Sequence, residues 1–264
     1  MSASFTHSKI GASSGHLIEN ESLNNAVNSV MNTAKDQLKG CADTYRGAVS
    51  LFSPKDPISA LTHFIGFWLS IIGMPLLLVR AAVSDTVFST AQLLSLAVFM
   101  LSMILLYGAS TSYHTFRLSP KGNKVLKKID HMMICVLIAG SYTPVCAVIL
   151  KNSLGLKLLI AIWVLAAAGI LFKAFWVTCP KWVSSLIYIS MGWTALFVIV
   201  PLFHLMSGLE FGLLLGGGIL YTIGGVIYAL RICFNEKFTE HELFHIFVLL
   251  GSFCHYLMMF SYVS

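Results

Sequence analysis

The feature that most constrains this chain is a series of apolar runs too long and too free of charge to fold in water. Residues 57–79 contain no Asp, Glu, Lys or Arg, and neither do 86–116, 132–150, 182–209, 211–230 and 243–264. A further apolar run lies between Lys157 and Lys173, extending to Trp176 if the Lys173 amine snorkels. A helix needs roughly 20 apolar residues to cross a bilayer's hydrocarbon core. Lipid accepts only backbone whose hydrogen bonds are satisfied internally, so runs of this length read as helices. The expectation is an all-α, integral membrane bundle of seven transmembrane helices over residues 55–264. Composition agrees: 57% of the residues are hydrophobic and 11% charged, against about 25% charged in soluble domains.

Residues 1–54 read differently, as a polar, Ser/Asn-rich tail. Between Leu23 and Val49 apolar residues recur among Asn, Lys and Asp, which fits an amphipathic surface helix or a disordered segment. No charged stretch followed by an apolar one opens the chain, so no cleavable signal peptide is expected. Six scattered cysteines without a CxxC pair argue against a disulfide framework or a cysteine zinc site.

The net charge of +6 sits in the segments between apolar runs, which reads as membrane orientation and not as nucleic-acid binding. With the N-terminus cytoplasmic, the inner segments hold fourteen basic residues, among them Arg117, Lys121, Lys124, Lys127, Lys128, Lys181 and Lys237. The outer ones hold three, Arg80, Lys151 and Lys157. The positive-inside rule therefore predicts a multi-pass protein of the cell (plasma) membrane, N-terminus inside. Pro201 predicts a bend or helix end in the fifth span. Gly208, Gly212, Gly216, Gly217, Gly218, Gly224 and Gly225 predict close helix packing in the sixth.

Ionisable groups inside a bilayer are costly and mark function by default. Sorted by depth under this topology, His114, Asp130, His131, His241 and His245 all fall at the cytoplasmic ends of their spans, with His63 one to two turns in. His204 lies at the opposite face, and His255 is roughly 15 Å deeper than His245, so each reads as a packing or hydrogen-bonding histidine. His241 and His245 are four apart and share a helix face, as do Ser110 and His114. Three imidazoles with one open position form a ligand set typical of catalytic zinc, whose bound water ionises near neutrality. Asp130 can orient that water or a ligand. His131 projects about 100° away from Asp130 and is not expected to face the same centre. His241-Glu242-Leu243-Phe244-His245 satisfies the zinc-protease pattern H-E-x-x-H. No acidic third ligand follows it, however, and Glu242 reads as a residue favouring the helix N-terminus.

These residues resemble the hemolysin III family, bacterial relatives of the progestin and adipoQ receptor family. The likeness rests on Ser110-Thr-Ser-Tyr-His114, on Lys128-Ile-Asp130-His131 leading to Ala139-Gly-Ser-Tyr-Thr-Pro144, and on His241-Glu-Leu-Phe-His245. Asp56-Pro-Ile-Ser-Ala-Leu-Thr-His63, Met191-Gly-Trp193 and Tyr221-Thr-Ile-Gly-Gly fit the same family. The resemblance implies a seven-helix bundle with zinc held by His114, His241 and His245 near the cytoplasmic side, Asp130 and Ser110 beside it. Through the family's likeness to alkaline ceramidases it also implies hydrolysis of a lipid amide or ester, in membrane homeostasis, with membrane lipids as partners. Two alternatives stay open: a non-enzymatic sensor or receptor of membrane state with structural zinc, and a cytolysin.

Overall fold

A computed structural model describes residues 13–52, 54–235 and 238–264; Lys9 and Lys237, both counted in the charge asymmetry, lie outside these. The chain divides into two compact units, Met1–Phe52 and Ser53–Ser264. The first contains one helix, α1 (Ser13–Phe52). Its stretch from Asn24 to Tyr45 is exposed, including Val27, Val30, Met31, Leu38 and Tyr45, which recur at helical spacing.

The second unit is a helix bundle: α2 (Pro57–Ala82), α3 (Thr90–Thr115), α4 (Pro120–Pro144), α5 (Ser153–Phe175), α6 (Lys181–Gly192), α7 (Ile199–Leu205), α8 (Gly208–Leu230) and α9 (Glu240–Tyr262). A π-helical turn, Val145–Leu150, extends α4, and a 3-10 segment, Trp193–Val198, joins α6 to α7. Seven of the resulting spans are long and apolar enough to cross a membrane. Each packs on a neighbour, α2 on α3, α3 on α4, α4 on α5, α6 on α8 and α8 on α9, and α9 returns to α2.

The exposed surface of the spans is largely apolar. On α2, Leu61, Ile65, Leu69, Ile72 and Leu76 lie exposed along one face, while Ser59, His63 and Ser70 are buried on the other. Such a surface is stable in hydrocarbon and not in water. Some buried hydroxyls are satisfied within their own helices, as where Ser70 Oγ donates to Gly66 O at 2.7 Å and Ser102 Oγ to Phe99 O at 2.6 Å.

Three local expectations change. The third span starts well before its apolar run. Ser119 caps it by accepting from Gly122 N at 3.3 Å, and Pro120 fits its first turn. Lys121, Lys124, Lys127 and Lys128, which the sequence places between apolar runs, are therefore helical. In the fifth span, the helix loosens before Pro201, which sits third in α7. The Tyr142 hydroxyl enters the ladder there, accepting from Ala195 N at 2.8 Å and donating to Gly192 O, which accounts for the 3-10 winding. In α8 the glycines divide. Gly217, Gly224 and Gly225 meet His255, Phe247 and Ile189, as close packing predicts, but a side chain at Gly208, Gly212, Gly216 or Gly218 would meet open space.

Candidate metal centre

The centre forms where three helix ends meet. The last carbonyls of α3 lack intrahelical donors, and the segment entering α2 supplies them. Lys55 Nζ donates to Tyr113 O at 2.9 Å and Asp56 N to His114 O at 3.0 Å. Asp56 occupies the N-cap position of α2 without using its side chain as a cap. That carboxylate instead accepts from His114 Nδ1 at 2.8 Å, and the bond holds the Asp56 carboxyl below its ordinary value.

The third end is the start of α9. Thr239 and Glu242 form a capping box: Thr239 Oγ1 accepts from His241 N at 3.3 Å, and Glu242 accepts from Thr239 N at 3.0 Å. Glu242 also accepts from Ser59 Oγ at 3.0 Å, tying α9 to α2. Its oxygens are thus engaged in fixing the helix end. This anchoring places His241 and His245 against His114.

The three imidazoles form a compact triangle, with ring centroids 4.8 Å (His114–His241), 5.0 Å (His114–His245) and 4.6 Å (His241–His245) apart. One ligand atom from each lies within 4.8 Å of the others, and His114 Nε2 and His241 Nε2 face each other at 3.0 Å. Two rings are oriented by acceptors. Asp56 accepts the Nδ1 proton of His114, and Ser59 O accepts that of His245 at 3.2 Å. Each bond fixes the tautomer with a bare Nε2. A carboxylate or carbonyl behind the ring is the usual support of a metal-ligating histidine.

Around the triangle, buried polar atoms lack partners. Both nitrogens of His63 do, with its ring stacked on His245 at 3.7 Å, and so does Ser110 Oγ, one turn before His114 on the same face of α3. Such atoms cost about 1–3 kcal/mol each. Their concentration beside three converging imidazole nitrogens fits a hydrated metal ion, and the all-nitrogen donor set suits zinc.

An open cavity of about 730 Å³ adjoins the triangle, bordered by His114, His241, Asp56, Tyr113, Lys127, His131, Lys181 and Tyr228. Asp130 is buried behind it, its Oδ2 3.2 Å from His131 Nδ1. The sequence separates these two by about 100°. The His131 ring nevertheless reaches back to Asp130 and borders the cavity, so His131 belongs to this region. His255 donates to Leu214 O at 3.3 Å and His204 packs on Phe203, both away from the triangle. Asp56 and the Ser59 carbonyl escaped the sequence reading as site residues. Asp56 immediately precedes a proline at a helix start, at the same depth as His114, and that was the available signal. A main-chain carbonyl leaves none.

Comparison with known proteins agrees with this architecture. Residues 53–256 match the family described as "Haemolysin-III related". The chain is 38% identical to Hemolysin-3 of Bacillus cereus over 213 residues, covering 80% of this chain and 93% of that one. It is 40% identical to a Hemolysin-3 homolog of Bacillus subtilis (strain 168) over 204 residues, 76% and 92% of the two chains. A more distant likeness, 26% over 218 residues, is to an adiponectin receptor protein of Drosophila melanogaster, covering 74% of this chain and 48% of the receptor. With seven apolar spans and this match, the chain is a multi-pass membrane protein that belongs to the haemolysin-III-related family.

Proposed function

We propose that this protein is a zinc-dependent hydrolase of membrane lipids, acting on an amide or ester bond at the cytoplasmic face and serving membrane homeostasis. The observation that supports this most directly is the histidine triangle with two rings oriented from behind by Asp56 and Ser59 O. His114 and His245 would hold zinc through Nε2, with His241 as third ligand. Bound there, zinc supplies Lewis acidity towards a carbonyl and an acidified water.

The chain's own residues do the rest. Asp56 and the Ser59 carbonyl keep the imidazoles in place. His131 borders the cavity and Asp130 stands behind it, an arrangement suited to taking up a proton and stabilising the resulting charge. Ser110 Oγ, buried and unpartnered, is available to donate to a developing oxyanion. A second cavity of about 120 Å³, lined by apolar residues such as Leu137, Ile138, Leu202 and Val248, suits an acyl chain.

Metal analysis of purified protein, paired with a lipidomic comparison of cells carrying each variant, tests the reading. His245→Ala loses both metal and lipid turnover. Asp130→Asn keeps the metal and loses turnover. Unchanged turnover in metal-free His245→Ala protein overturns the enzyme reading. A second reading, a non-enzymatic sensor with structural zinc, draws support from the likeness to a protein named as a receptor and from the way the triangle ties α3 to α9. It predicts that the wild-type protein hydrolyses no cell lipid and that His245→Ala unfolds.

A further inference from the structure

Away from the histidines, the last turn of α5 carries a buried lysine. Lys173 is fully buried, at 0% exposure. No carboxylate pairs with it among the described residues. Its Nζ donates to Cys179 Sγ at 3.1 Å and to Ser184 Oγ at 2.5 Å, while the Phe172 and Tyr188 rings lie at 5.8 and 5.6 Å. Cys179 Sγ and Ser184 Oγ are 3.4 Å apart. The turn that follows α5 therefore folds a thiol back onto an amine, in a pocket closed by aromatic rings.

A buried ammonium is unfavourable unless an anion or strong acceptors meet it, and the ionisable partner in hydrogen-bond contact is the thiol. The two reacting atoms therefore stand in contact, the Lys173 nitrogen 3.1 Å from the Cys179 sulfur, so that a sulfur once oxidised meets this amine before any other nucleophile. Cys179 is 8% exposed and lies in the short turn between α5 and α6.

We propose that Lys173 and Cys179 form a reversible oxidative modification site, closing to a sulfur–nitrogen bond when the protein meets hydrogen peroxide. Peroxide first oxidises the sulfur: an S–O bond forms as the O–O bond breaks, giving Cys179 sulfenic acid and one water. The Lys173 amine then attacks that sulfur. The N–S bond forms, the S–O bond breaks, and the oxygen leaves with the amine's proton as a second water. In sum, thiol, amine and peroxide give a sulfenamide and two waters. The sulfur loses two electrons and the peroxide gains them. Sulfenic acids condense with thiols and backbone nitrogens in this way, and here an amine already touches the sulfur. Excess thiol reverses the bond.

Peptide mass analysis after peroxide treatment of the full-length protein in lipid nanodiscs, digested with trypsin without reductant, tests this. In the wild type, cleavage after Lys173 is lost. The peptide Ala174–Lys181 is replaced by one spanning Leu158–Lys181 that is two hydrogens lighter than its reduced form, and dithiothreitol restores both cleavage and mass. In Lys173→Arg the light peptide is absent, and Cys179 is instead captured by dimedone as the sulfenic acid. Cys179→Ser keeps the cleavage after Lys173 under peroxide, a control that holds even if Lys173→Arg fails to fold. Dimedone capture of Cys179 to the same extent in wild type and Lys173→Arg, Cys179 left as a thiol, or its direct passage to the sulfinic acid overturns the proposal.

Discussion

At the scale of single residues, the site depends on side chains that do not look like ligands. Asp56 could have capped α2, yet it serves His114. Removing such a support typically lowers metal affinity 10–100-fold. Asp56→Ala is therefore expected to weaken zinc binding by that factor, measured by chelator competition, while leaving the seven-span fold intact. An unchanged affinity would show that His114 needs no support. The ligand candidates themselves were legible in the sequence, because His114, His241 and His245 fall at one depth once the topology is drawn. Their supports were less so. Asp56 sits outside any apolar run, and the carbonyl that orients His245 belongs to Ser59, where any residue type would supply the same atom. Helical angles set the neighbours Asp130 and His131 about 100° apart, and of the two His131 borders the cavity, although its Nδ1 comes within 3.2 Å of the Asp130 carboxylate.

At the scale of elements, the apolar runs located every span but not every boundary, because caps and intruding side chains set the ends. Ser119 extends α4 through four lysines, and the Tyr142 hydroxyl rewinds the fifth span, a contact 53 positions distant from Ala195 in sequence. The glycines of α8 make the same point. Their spacing suggests a uniform packing stripe, yet only some of them meet a neighbour. A Cβ at Gly217 would lie 2.5 Å from His255 and 3.1 Å from the Gly251 carbonyl. Gly217→Ala is accordingly expected to destabilise the bundle by about 1–3 kcal/mol. At Gly212 nothing lies within 4 Å, so Gly212→Ala is neutral or gains up to about 1 kcal/mol from helix propensity. Thermal unfolding in one detergent compares the two. Equal effects would mean that α8 does not approach α9 as described.

For the molecule as a whole, the number of spans followed from hydropathy, while the direction in which they thread the bilayer rests on the basic residues between them. Fourteen such residues against three are the ground for expecting the N-terminus inside. In intact cells, with native cysteines replaced, an impermeant thiol reagent is expected to label Lys151→Cys and to leave Lys121→Cys unmodified until the membrane is permeabilised. The opposite labelling would move the histidine triangle to the external face. The 3-10 segment at Trp193–Val198 has a consequence for this threading that concerns length. Six residues advance about 12 Å in a 3-10 helix and about 9 Å in an α-helix. The fifth span is therefore about 3 Å longer than its residue count implies. Release of the Tyr142 hydroxyl, allowing the segment to rewind, would shorten it by the same amount. A change of that size would lie within the few Å by which cell membranes differ in hydrocarbon thickness.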